Sequence, residues 1–324
     1  MKRKALILGI TGQDGSYLAE LLLTKGYEVH GLIRRSATGN LDNISHLLSD
    51  LILHRGDLTD ATSLYRILSD VAPDELYNEA DQDHVAWSFD GVGYTCDITG
   101  AAVGRLLEVI RLTSPATRVF QPVSSNMFGQ SDDSVLTEHS AFRPQSPYAA
   151  AKVFAFVVSR YYRDVFKMFV STAILFNHES PRRPEEYVSR KISKAAAQIS
   201  KGIQKKLTLG DIDGEIDFGF AGEYMEAAWR MLQLDYPDDF IISTGEVHSV
   251  REFLEEAFAV VGLDPYDYVE FDPMLIRPGK TATLVGDHSK ATQAFGFDPK
   301  IRMKELVRLM VSHDLSETEN ESQK

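Results

Sequence analysis

Short apolar runs alternate with stretches of helical spacing through the first half of the chain. KALILGI (4–10), YEVHGLI (27–33), DLILHRGD (50–57), DELYNEA (74–80), TRVFQPVSS (117–125) and FVSTAILF (169–176) read as strands. Helical spacing appears in SYLAELLLTKG (16–26), stopped by Gly26, in ATSLYRILSDV (61–71), near 94–113, and from Tyr148 to about Lys167. Strands separated by helices predict βαβ units and a parallel sheet covered on both faces. After FNHESPRR (176–183) the rhythm loosens into a helix near 188–202, LTLG (207–210), a helix near 222–234, FIIST (240–244) and two more helices. The predicted fold is therefore α/β: a doubly wound parallel sheet of Rossmann type over 1–175, able to recruit later strands, with a smaller substrate lobe over 176–315. SETENESQK (316–324) has no apolar residue and is predicted to be a frayed, disordered tail.

Composition narrows the function. At 324 residues and 44% hydrophobic content the chain can bury a sizeable core. Its 34 basic against 47 acidic side chains, a net −13, repel polyanions and argue against nucleic-acid binding, although a locally basic pocket can still take a phosphate. No run approaches the ~18 apolar residues of a membrane span. MKRKALILGI has the basic head of a signal peptide but runs into a glycine turn with no cleavage-like site, so it reads as a buried first strand. The single cysteine, Cys96, allows no intrachain disulfide and has no ligand-spaced His or Cys beside it; a reducing, cytoplasmic setting and no metal are expected.

Two motifs carry chemistry. GITGQDG (Gly9 to Gly15) follows the first strand and opens the first helix, where glycines let a pyrophosphate approach backbone N–H groups. The second strand ends in GLIRRS, where Arg34 and Arg35 replace the acid that usually holds a ribose hydroxyl, which favours NADP. Asp57 and Leu58 end the third strand, where either an adenine edge or a helix N-cap (Asp57 or Asp60) is in keeping with the residues. Tyr148 and Lys152, four apart on a helix, share one face; the ammonium is expected to lower the phenol's pKa from about 10, so that Tyr148 serves as a base, with Ser124 on the same hydroxyl. FNHESPRR, VSRK (188–191) and IRPGK (276–280) are loops that could hold a diphosphate and a base, or be merely solvated.

GITGQDGSYLAELLL, HVAWSF, SPYAAAK, FNHESPRR, FGFAGEYMEAAWRMLQ, TGEVHSVREF and RPGK…LVGDHSKA together resemble the GDP-mannose 4,6-dehydratases among the extended short-chain dehydrogenase/reductases, over nearly the whole length. The resemblance implies cofactor contacts at Gly9, Thr11, Gly12, Gln13, Asp14, Arg34, Arg35, Asp57, Leu58, Glu79, Ala80, Asp81, Tyr94, Tyr148, Lys152, His178 and Arg183. It implies catalysis by Ser124, Tyr148 and Lys152 with residue 126, and a GDP-sugar held by Ser88, Asn126, Asn177, Val188, Lys191 and Arg277. The implied reaction is oxidation at C4 by NADP, loss of water across C5 and C6, and hydride return to C6, in a homodimer or homotetramer.

The departures from that family fall in the chemistry. Its S-[TS]-S-E-[LM]-[YF]-G pattern is VSSNMFG here, so Asn126 stands in place of the Glu that moves the C5 proton. General acid–base help of that kind is worth about 10²–10⁴-fold. NLAAQSH becomes NEADQDH, placing Glu79, Asp81 and Asp83 where small or apolar residues line the cofactor; Ile216 replaces an Arg before Asp217. Dehydration of a GDP-sugar is the leading reading; the acid then comes from elsewhere than residue 126, with Glu79, Asp81 and Asp83 as candidates only where a side chain reaches C5 of the sugar. The alternatives are a 4-dehydrogenase, epimerase or ketoreductase without elimination, and an inactive nucleotide-sugar-binding paralogue.

Overall fold

The computed structural model describes residues 2–34, 40–275 and 283–322, with side chains to residue 319; Arg35, Arg277 and Lys280 lie outside the described residues. Along the chain run β1 (Lys4–Leu8), α1 (Gln13–Thr24), β2 (Glu28–Ile33), β3 (Leu51–Arg55), α2 (Ala61–Val71), β4 (Glu75–Asn78), α3 (Trp87–Asp90) and α4 (Val92–Thr95). Then come α5 (Ala102–Thr113), β5 (Arg118–Ser124), α6 (Pro147–Phe166), β6 (Val170–Leu175), β7 (His178–Glu179), α7 (Val188–Ser200), β8 (Leu207–Leu209), β9 (Glu215–Ile216) and β10 (Gly219–Phe220). The rest are α8 (Ala221–Met231), β11 (Asp239–Ile242), β12 (His248–Ser249), α9 (Val250–Val260), β13 (Val269–Phe271), α10 (Ser289–Phe295) and α11 (Met303–Ser322).

The chain forms two compact units. The first comprises Met1–Leu175, Gly222–Ile242 and His288–Phe297. Its sheet has seven strands in the order β11-β6-β5-β4-β1-β2-β3, all parallel, with the reversal of winding between β1 and β4. Strands covered on both faces favour apolar residues, as in Ala5 to Leu8 of β1, and β6 is buried throughout although Ser171 and Thr172 are polar. Where a polar residue enters a strand it is paired: Asn78 Nδ2 donates to Gln121 Oε1 at 2.8 Å across β4 and β5.

The second unit comprises Phe176–Ala221, Ser243–Asp287 and Asp298–Lys324. Its core is built from one face each of α7, α9 and α11, with Ile192, Ala196, Phe253, Phe258, Val307 and Met310 fully buried. Among the described residues, no helix is long and apolar enough to cross a membrane.

Three local expectations are corrected. The stretch 316–324 is no frayed tail through its first residues: α11 continues to Ser322. Thr318 is buried, its hydroxyl returns to the Asp314 carbonyl at 2.7 Å, and Glu319 pairs with Lys201 at 2.7 Å. None of these partners is apolar, so the hydrophobic pattern carries no trace of them. The stretch 94–113 is not one α-helix, because a π-helical segment, Cys96–Ala101, joins α4 to α5. Gly100 there packs against α6, where a side-chain Cβ would stand 3.5 Å from the Ala151 carbonyl oxygen. Three helices, rather than two, follow β11.

Candidate active site

Five loops leave the carboxyl ends of β1 to β5 and carry the residues singled out in the first unit. Gly9 has φ 75°, and a Cβ on it would stand 2.6 Å from the Glu79 carbonyl oxygen, so glycine is required there to let the first turn pass β4's exit. A Cβ on Gly15 would run into the Gly9 carbonyl. α1 begins behind Gly12, which caps it without a side chain and leaves that helix end open to an anion. Around it, Thr11 O accepts from Asn43 Nδ2 at 3.0 Å and Gln13 Nε2 donates to Asp14 Oδ1 at 3.1 Å. Arg34 Nη1 donates to Tyr94 Oη at 3.0 Å, bringing together two positions 60 residues apart. Asp57 closes a local turn by accepting from Thr59 N and Oγ1 at 2.9 and 2.7 Å, Leu58 is buried, and the N-cap of α2 is Asp60.

Ser124 ends β5. α6 is started by Ser146, whose hydroxyl accepts from Ala149 N, and by Pro147 at its first turn. That start fixes Tyr148 and Lys152 in the first turns, one above the other and both buried. Lys152 Nζ lies 5.6 Å from the Tyr148 ring centroid and donates to Pro122 O at 3.2 Å. Tyr148 and Ser124 share a hydrogen bond. Ser124 Oγ accepts from Asn126 N at 3.2 Å and from Asn126 Nδ2 at 3.1 Å. A hydroxyl has two lone pairs and one proton, so with two N–H donors on its oxygen Ser124 has its proton left to donate.

The carboxylates of the 79–83 segment reshape this site. Asp81 Oδ2 stands 2.6 Å from Lys152 Nζ, an ion pair with both side chains largely buried. Burial works against the Lys152 ammonium, but Asp81 and Tyr148 hold its pKa above the usual lysine value. Tyr148 departs from expectation: burial pushes its phenol up to about 12, Lys152 pulls the other way, and Asp81 and Asp83 push it further up. The lowering predicted from Lys152 is real but smaller than the effect of burial, and the two carboxylates add to the latter. Glu79 buries Oε1, and burial, followed by repulsion from Asp14, raises its carboxyl well above the usual range. Ala80 is half-buried, Ser88 is buried with its hydroxyl on the Val85 carbonyl at 2.6 Å, and Asp83 is exposed.

In the second unit, Asn177 is exposed and its carbonyl accepts from Gly219 N at 3.0 Å. His178 Nδ1 lies 2.8 Å from Phe176 O, and the Arg183 guanidinium stacks 3.5 Å over the Tyr187 ring with Nε 3.4 Å from Glu179. Val188 opens α7, and Lys191 donates to Thr208 O at 2.7 Å. Lys191, Lys194 and Lys206 line a pocket of about 300 Å³. Ile216 pairs with His248 between β9 and β12, while Asp217 is buried and accepts from Thr244 N, Thr244 Oγ1 and Gly245 N. Burial pushes the Asp217 carboxyl up to about 6. Lys290 is held on Asp238 at 2.7 Å.

Sequence reasoning placed Ser124, Tyr148 and Lys152 together, and the structure brings them together. It missed two contacts that no spacing encodes: the capture of Lys152 by Asp81, and the donation from Asn126 to Ser124.

The winding of the sheet and the Ser–Tyr–Lys grouping at its carboxyl edge define the class as an extended short-chain dehydrogenase/reductase. The fold is shared with the dTDP-glucose 4,6-dehydratase DesIV from Streptomyces venezuelae, solved with NAD and TYD bound (TM-score 0.87, 22% identity, 98% of each chain covered). Within that class, the chain belongs to the GDP-mannose 4,6 dehydratase family, whose model matches residues 6–310. It is 47% identical over 326 residues to GDP-mannose 4,6 dehydratase 1 of Arabidopsis thaliana, covering 97% of this chain and 90% of that one. It is 42% identical over 338 residues to the human GDP-mannose 4,6 dehydratase, covering 96% and 91%.

Replacing Asp81 by Asn removes the charge that raises Tyr148 and frees the Lys152 ammonium that lowers it. The ascending limb of the kcat/KM–pH profile for C4 oxidation, where the phenolate is the base, is expected to move down from about 12 toward the ordinary phenol value of about 10. A limb that stays in place would show that Asp81 does not control the phenol.

Proposed function

We propose that this chain acts on a GDP-sugar with a bound nicotinamide dinucleotide, oxidising the sugar at C4 and then eliminating water, as a GDP-mannose 4,6-dehydratase does. The observation that carries the reading is the buried Ser124–Tyr148–Lys152 grouping on a chain of this family. The open end of α1 and the glycines before it fit a dinucleotide diphosphate. When bound, that cofactor supplies the hydride chemistry. The protein's part is to hold the sugar hydroxyl between Ser124 and Tyr148, to move its proton through Tyr148, and to steady the phenol with Lys152. In the second unit Asn177, His178, Arg183, Val188 and Lys191 serve nucleotide and sugar, together with Arg277.

Elimination needs a proton carrier that Asn126 cannot be, since an amide neither gains nor loses a proton usefully near neutrality. The carboxyls nearest this chemistry are Asp81, paired with Lys152, Glu79, whose carboxyl burial raises well above the usual range, and Asp83, which is exposed. The donation from Asn126 to Ser124 favours a second reading, in which C4 hydride exchange proceeds without loss of water. Mass spectrometry of GDP-mannose incubated with the protein and NADP separates the two: a product lighter by one water supports dehydration, and an intact mass with exchange at C4 supports the second. Asn126→Glu restores a carboxylate and is expected to raise elimination at least about tenfold; an unchanged rate counts against the assignment of that position.

NADP rather than NAD is supported by Arg34, whose guanidinium is steadied on Tyr94 at the end of β2. A charge-assisted contact to a 2′-phosphate is worth about 1.5–3 kcal/mol. Arg34→Ala is therefore expected to weaken NADP binding by roughly tenfold or more while leaving NAD nearly unchanged, as read by calorimetric titration. Equal losses for both would remove the case for NADP.

A second copy of the chain is the partner that fits α6. Phe154, Val157, Tyr161 and Val165 form an apolar stripe along its outer face, each at least 50% exposed. Light scattering is expected to give at least a dimer for the wild type and a smaller species for Val157→Lys with Tyr161→Lys; a monomeric wild type would dismiss this surface.

A further inference from the structure

The 79–83 segment carries an inference that rests on the dinucleotide reading above. Lys152 is a buried cation beside Tyr148, and its nearest carboxylate, Asp81, lies 2.6 Å away. A carbon whose oxygen lies on Tyr148 exchanges hydride only with a ring it touches, so the nicotinamide has to come to this same place. The oxidised ring carries a positive charge and the reduced ring carries none. Lys152 by itself would repel the oxidised form and be indifferent to the reduced one.

We propose that Asp81 determines which redox form of the dinucleotide this pocket retains, cancelling the Lys152 charge and so favouring the oxidised, cationic ring over the neutral one. Glu79 is a poorer candidate for the same task, because it makes no ion pair with Lys152 comparable to that of Asp81. Burial and the nearby Asp14 also raise its carboxyl well above the usual range and disfavour its charge. Asp83 acts on Tyr148 and Lys152 with the same sign as Asp81 but from an exposed position, where solvent weakens it.

A unit charge a few ångströms away at an effective dielectric of ~20 is sufficient to change relative affinity by about tenfold after screening. That equals a shift of about 30 mV in the bound two-electron couple.

The test needs no sugar and no turnover. Wild type, Asp81→Asn and Glu79→Gln are titrated calorimetrically with NADP+ and, separately, with NADPH, and the ratio of the two dissociation constants is compared. In Asp81→Asn the ratio Kd(NADPH)/Kd(NADP+) is expected to fall about tenfold, mainly through weaker NADP+ binding, and in Glu79→Gln to stay within about twofold of wild type. If Asp81→Asn does not fold, by circular dichroism, Asp83→Asn is expected to shift the ratio in the same direction by a smaller factor. A ratio unchanged in the folded Asp81 variant, or in the Asp83 variant used in its place, overturns this inference and leaves the proposed function standing. Failure of the wild type to bind either form overturns both.

Discussion

Seven parallel strands buried on both faces release their chain at one common edge, and everything chemical in the first unit follows from that constraint. The turn after β1 has to pass the exit of β4 at a separation that only glycine allows, which brings the opening of α1 against the 79–83 segment. β5 ends at Ser124, and α6 starts with a serine cap and a proline that leave Tyr148 and Lys152 facing the same edge. The residues of the site are far apart in sequence, but the direction of the strands leaves them no other place.

Charge at that edge is contested. A buried lysine beside a tyrosine would ordinarily favour the phenolate, but here its ammonium is held by a carboxylate at ion-pair distance. Burial is the largest influence on the phenol and, with the two carboxylates, raises it to about 12. Glu79 is under the same pressure: burial, and then Asp14, raise its carboxyl well above the usual range. Three acids in one short segment thus differ, one paired, one buried and disfavoured as an anion, and one exposed.

The substitution at 126 changes hydrogen-bond direction as well as acidity. An amide N–H and a backbone N–H both donate to the Ser124 oxygen, which leaves its own proton to donate. A carboxylate in that position would accept where the amide donates. The serine–tyrosine contact and the removal of the C5 proton are therefore linked through one side chain, although only the second requires an acid.

The sequence by itself determined the sheet, its order of strands and helices, the dinucleotide turn, and the Ser124, Tyr148 and Lys152 set, because each is written in local periodicity or in a spacing of a few residues. Arg35 and Arg277 were legible as candidates in the same way and lie outside the described residues. Tertiary structure decided the rest. The ordered end of α11 carries a buried hydroxyl and an ion pair rather than apolar contacts, and the π-helical segment between α4 and α5 leaves no mark in the apolar spacing. The partner of Lys152 and the pKa of Tyr148 are electrostatic outcomes of distance and burial, which fall steeply over a few ångströms and which no pattern of residue types records.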